Sequence, residues 1–99
     1  MKYLRTQAFL ADLRRLPEDH RKMFVHVVHA LLSPALDAGA HTGAVAWPRA
    51  LRIHRIGLNY SMTWSFAGPD GRALFRLEEI DGEPVLIWLR VGNHDIYRD

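Results

Sequence analysis

The hydrophobic period changes part-way along this chain, and that change limits the possible folds more than any other feature. In QAFLADLRRL, Phe9, Leu13 and Leu16 recur at helical spacing behind Thr6, a residue type that caps helix N-termini, so the stretch predicts a short amphipathic helix. Pro17, Glu18 and Asp19 then read as the start of a second helix, with proline early and acids in the first turn, where the helix dipole favours them. HRKMFVHVVHALL continues it, with Phe24, Val28 and Leu31 on one face, until Pro34 and the glycines at 39 and 43 are expected to end or kink it. From residue 51 the period becomes two. RALRIHRI alternates, with Leu51 and Ile53 on one side and Arg52 and His54 on the other, and YSMTWSF alternates again. After the turn sequence AGPDG come a strand RALFRLEE, a second turn IDGE, and PVLIWLRVG, a strand apolar enough to be central. Tyr3 to Arg5 leave room for a brief strand before the first helix.

Strands that follow a helical hairpin argue for an α+β fold, with the helices packed on one face of a mainly antiparallel, roughly four-stranded twisted sheet. At 99 residues the chain suits one domain spanning 1–99, since domains typically run about 100 to 150 residues. No apolar run approaches the ~18 residues of a membrane-spanning helix. The N-terminus lacks the apolar centre of a secretory signal, so a cytoplasmic protein is expected and the Asn59-Tyr60-Ser61 sequon carries no meaning. With no cysteine there is no disulfide, thiolate nucleophile or cysteine-type zinc site.

Charge is unevenly placed. Residues 1 to 60 hold nine Lys/Arg against four Asp/Glu, and the remainder four against seven, giving +5 and −3. Eleven of the thirteen basic residues are arginines, the type best suited to paired contacts with phosphate oxygens. An anionic partner and a plain solvated basic surface both fit that pattern. The chain has no phosphate-binding glycine loop, no GxSxG elbow and no HExxH. His26 and His29 are three apart, a spacing that fits solvated helix positions better than a metal site. Trp64 and Trp88 lie in apolar strands and suit a core, although Trp88, close to Arg90, also suits stacking on a base.

Arg52 and His54 on one strand face, Arg90 at the end of the last strand, and His94 and Tyr97 beyond Gly92-Asn93 form a set with the parts for RNA cleavage. That reaction needs a base for the 2′-hydroxyl, cations for the charge developing on phosphate and an acid for the leaving 5′-oxygen. Histidine can act as either base or acid near neutral pH. Taken alone the set is unspecific, because arginines on an exposed strand face are often only solubilising.

The pieces WPRALRI, TWSFAGPDGRALF and WLRVGNHDIY, together with FLADLRRLP in the hairpin, resemble the RelE/ParE superfamily, the toxins of bacterial toxin–antitoxin pairs, over nearly the whole chain. The resemblance is strongest to its RelE-like subgroup. It implies helices on one face of a mainly antiparallel sheet, and cleavage of messenger RNA at the ribosome with no metal and no other cofactor. Carried over by position, the basic pair after the hairpin falls on Arg52 and His54, the residue after the last strand's Val-Gly on the Asn93-His94 region, and the late tyrosine on Tyr97. His94 then serves as general acid or base, Arg52 and Arg90 as phosphate stabilisers, His54 as a second proton carrier and Tyr97 as a stacking or orienting group. Arg49, Arg55, Arg76, Trp88 and Arg98 are the further candidates for RNA contact. Many relatives carry an arginine directly after the tyrosine of the next strand, whereas here Tyr60 is followed by Ser61, a missing cation that Arg76 or Arg90 would have to replace. The implied partners are an antitoxin, messenger RNA and the ribosome. The superfamily also contains ParE-like toxins that inhibit DNA gyrase, and a degenerate member that binds RNA or a partner without chemistry is a third reading; the fold does not separate them.

Overall fold

The computed structural model of the chain describes residues 1–64 and 71–93. Strand β1 (Lys2–Arg5) leads into helix α1 (Gln7–Arg15), and α2 (Glu18–Val27) runs through a π-helical turn (Val28–Leu32) into α3 (Ser33–Asp37). Short 3-10 turns at Ala40–Thr42 and Arg49–Leu51 precede β2 (His54–Ile56), β3 (Asn59–Thr63), β4 (Gly71–Ile80) and β5 (Glu83–Asn93). The α+β architecture agrees with the sequence reading.

Thr6 caps α1 as its residue type implies, its hydroxyl accepting the Phe9 N–H at 3.0 Å. Pro34 does not end the second helix. The Ser33 N–H reaches back five residues to the Val28 carbonyl, and this wider turn relieves the pressure that the Pro34 ring would place on the carbonyl of Ala30, so the helix continues to Asp37. Gly39, at φ 92°, then supplies the left-handed residue that breaks it.

The strands form one five-stranded sheet in the order β1-β5-β4-β3-β2. It is therefore one strand larger than expected, because β1 joins β5 in parallel, Lys2 opposite Val85 through Arg5 opposite Trp88. The other pairs are antiparallel. Asp81 (φ 52°) and Gly82 (φ 79°) close the β4–β5 hairpin in the left-handed conformation that a two-residue Asp-Gly turn requires. The strand expected through RALRIHRI is shorter than its alternation implied. Pro48 starts a 3-10 turn in which Leu51 N–H bonds the Pro48 carbonyl and Arg52 N–H the Arg49 carbonyl, so these groups have no strand partner, and pairing begins only at His54.

Cross-strand partners share a face. Tyr60, Phe75 and Trp88 are in register on the face that α1 and α2 cover, with Met62, Ala73 and Leu86 on the same side. There the core gathers Phe9, Phe24, Val27, Leu32, Leu36, Leu51, Trp64 and Val91 around them. Trp88 stacks on Phe9 at 5.7 Å and meets Phe24 and Phe75 edge-on at 5.1 and 5.6 Å. Trp64 lies over Gly71, where an added Cβ would overlap its ring, so the tryptophan fills the space that the glycine leaves.

Candidate functional site

The far face of the sheet, opposite the helices, carries a row set by the register: His54 on β2, Ser61 on β3, Leu74 on β4 and Arg90 on β5. Thr63 and Arg72 form the next pair toward one end, and Arg76 lies two residues from Leu74 toward the other. With strands about 4.8 Å apart, His54 and Arg90 are separated by three spacings, roughly 14 Å between backbones, so they would meet different parts of one extended ligand.

His54 is exposed, and its Nδ1 lies 3.2 Å from the Arg52 carbonyl oxygen. A carbonyl only accepts, so this bond puts the hydrogen on Nδ1 and, in the neutral ring, leaves the lone pair on Nε2. Arg52 adopts φ 45°, the left-handed region that an arginine seldom occupies, and that conformation turns its carbonyl toward His54. Arg52 thus sits before β2 rather than beside His54 on a strand face. Arg76 Nε is 2.8 Å from Glu78 Oε1, two residues along the same face of β4.

Arg90 is held from the helical layer. Its Nε and Nη2 donate to Asp12 Oδ2 and Oδ1 at 2.6 and 3.2 Å, and the Val91 N–H donates to Oδ2 at 3.1 Å. Arg15 Nη1 lies 3.8 Å from the same carboxylate. The cause is topological. β1 ends at Arg5 opposite Trp88, and α1 then runs beside the edge of β5 that β1 no longer covers. There the Thr6 N–H bonds the Trp88 carbonyl at 3.0 Å, the Thr6 hydroxyl bonds the Leu89 carbonyl at 2.9 Å, and Asp12 takes the Val91 N–H. Side chains of a helix take the place of a neighbouring strand.

Two of the expected RNA contacts are misplaced by the sequence reading. Trp88 is only 5% exposed, its ring enclosed by Phe9, Phe24 and Phe75, so it cannot stack on a base. Arg55 is in register with Tyr60 on the helix side, its guanidinium carbon 5.4 Å from the Tyr60 ring centre, and so faces away from His54. Arg49 is exposed in its 3-10 turn. His94, Tyr97 and Arg98 lie outside the described residues. Asp12 is the residue that sequence reasoning missed. Its signal was a carboxylate three residues after Phe9, on a helix face otherwise apolar.

On the helix side a groove of about 350 Å³ opens between β1 and α2, with Phe9, Phe24 and Trp88 among its walls and Arg5 and His29 beside them. Among the described residues there is no group of three or more potential metal ligands, and no helix long and apolar enough to cross a membrane.

No protein-family model matches the sequence, and no curated protein matches it. Among solved structures, a chain of the toxin–antitoxin complex RelBE2 (Rv2865-2866) from Mycobacterium tuberculosis superposes with a TM-score of 0.54 over 93% of this chain and 95% of that one. This chain has a RelE-like fold. At 19% identity the likeness is one of architecture, and it agrees with the arrangement that the sequence motifs implied. On the RelE-like sheet, His54, Arg76 and Arg90 share the far face while Trp88 and Arg55 do not.

Proposed function

We propose that this chain is the toxin of a toxin–antitoxin pair and that it cleaves messenger RNA on the ribosome. The observation that carries the reading is His54: exposed on the far face, with Nδ1 bonded to the Arg52 carbonyl and Nε2 therefore able to take a proton. In the proposed step Nε2 removes the proton of a 2′-hydroxyl and O2′ attacks the adjacent phosphorus. The bond to the 5′-oxygen breaks as an acid, assigned to His94, protonates it, leaving a 2′,3′-cyclic phosphate and a 5′-hydroxyl. Arg76 and Arg90 supply cations on the same face, and Arg52 a third beside it. Tyr97 is assigned to stack on a base, and Arg49 and Arg98 to contact the RNA backbone. The antitoxin has apolar surface available at the groove beside β1, where Tyr3 and Val25 are exposed.

Induced expression followed by mapping of RNA ends tests the reading. Cleaved messages should accumulate with the unmodified protein, and His54→Ala should slow cleavage by about 10²- to 10⁴-fold, the usual contribution of a general base. Intact messages together with accumulating cleaved DNA would identify a gyrase inhibitor instead.

A further inference from the structure

The β4–β5 hairpin runs past the rest of the sheet. Pairing with β3 ends at Tyr60 opposite Phe75, and β1 begins opposite Val85, so residues 79–84 have no further strand beside them. Residues 78–84 are all exposed, and they carry the carboxylates of Glu78, Glu79, Asp81 and Glu83 with no basic residue among them. Glu78 is occupied by Arg76, while the other three make no ion pair among the described residues. Ile80, 40% exposed, stands opposite Glu83, so an apolar group and a carboxylate project side by side from one face of the tip.

The groove beside β1 has the converse character. Val25, Val28 and the rings of Phe9, Phe24 and Trp88 line it, and Arg5 and His29 border them, neither with a side-chain partner among the described residues. Its volume of about 350 Å³ is roughly ten times the ~30 Å³ share of one water, room for a branched aliphatic side chain. Tyr3 Oη, 2.9 Å from Ser33 Oγ, ties the β1 wall to α3. The hairpin tip of the same molecule does not reach this groove: Arg5 faces Trp88, and the tip lies beyond Glu83, roughly 17 Å back along β5.

We infer that the groove takes the β4–β5 hairpin tip of a second copy of this chain. Ile80 enters between the apolar walls, Asp81 and Glu83 meet the Arg5 guanidinium, and His29 donates a hydrogen bond beside it. A groove-to-groove contact would set Arg5 and His29 against their own copies, and a tip-to-tip contact would oppose carboxylates. The contact is therefore head-to-tail, leaving a free groove at one end and a free tip at the other, so association continues into chains unless it closes into a ring. A hairpin tip buries less than the ~1,200 Å² of a standard stable interface, so the contact is weak and sensitive to salt. It does not rest on RNA cleavage, and the antitoxin assigned above to the same groove would displace the second copy.

Sedimentation velocity of the full chain, from about 10 to about 500 μM and in low salt or about 0.5 M sodium chloride, tests the inference. The unmodified chain should sediment faster as its concentration rises in low salt and remain monomeric in high salt. Val25→Asp places a carboxylate at the groove mouth, and Ile80→Ser removes the group that enters it. Both positions are exposed, so circular dichroism should show each variant folded, and each should weaken self-association by about tenfold or more. Mixed in equal amounts, the two variants should form a 1:1 dimer that grows no further, because one intact tip and one intact groove are all that can meet. An unmodified chain that stays monomeric in low salt, a variant that associates as the unmodified chain does, or a mixture that stays monomeric would each overturn the inference. If the unmodified chain is monomeric yet binds a peptide of alternating leucine and glutamate, and Val25→Asp does not, the groove belongs to a partner strand and the inference falls.

Discussion

Arg52 and Gly71 show how single positions are spent in opposite ways. Arg52 holds φ 45°, a conformation that strains an L-residue, and the return is a carbonyl aimed at His54. Arg52→Gly should therefore stabilise the fold by about 0.5–1 kcal/mol in urea denaturation, since glycine adopts this conformation without steric cost, while lowering RNA cleavage through the lost cation. Gly71 is the reverse case, an absent side chain that makes space for the Trp64 ring. Gly71→Ala should cost about 1–3 kcal/mol, as overpacked cores do, and the intrinsic fluorescence of Trp64 should report the displaced ring. The positions differed in how far the sequence revealed them. Alternation through LRIHRI placed His54 on a strand, but a side-chain pattern says nothing about backbone bonds, so the turn at Arg49–Leu51 and the strain at Arg52 were hidden.

Among the elements, α1 has a double role: its apolar face packs on the sheet and its polar side chains satisfy the free edge of β5. Thr6 illustrates both, capping the helix through Phe9 N–H and bonding the Leu89 carbonyl. Thr6→Ala should cost about 1–2 kcal/mol, at the upper end for a cap because a strand carbonyl loses its donor as well. Asp12→Ala should cost about 3 kcal/mol, since it removes the carboxylate that accepts from Arg90 Nε, Arg90 Nη2 and the Val91 N–H, and thermal unfolding would show the loss. The hairpin and the β4–β5 pair were legible in the sequence because period and turn chemistry are local signals: the 3.6-residue recurrence of Phe9, Leu13 and Leu16, and the Asp81-Gly82 turn. The pairing of β1 was not legible as a parallel partnership, because KYLR is four exposed residues whose partner lies beyond residue 80. The π turn before Pro34 escaped for a similar reason, as its cause is a steric adjustment rather than a residue pattern.

For the molecule as a whole, the sheet divides the arginines that composition alone had pooled. Arg76 is on the far face with His54 and Arg55 on the helix side, so their substitution should separate in a salt titration of RNA binding. Arg76→Ala should reduce the slope of log affinity against log salt by about one, as loss of one phosphate contact does, and Arg55→Ala should leave it unchanged. The basic excess of the first sixty residues was legible, but which charges share a surface depends on register, and register is a property of pairs of strands rather than of any one segment. The parallel union of β1 with β5 reaches further than architecture. Lys2 pairs with Val85, so β1 has no partner until β5 has been made, and Asp12 and Thr6 wait for the same stretch of β5. A nascent chain cannot complete this sheet while β5 is still inside the ribosome, and a product truncated before β5 has no route to it. Assembly of the far face thereby waits on the synthesis of β5.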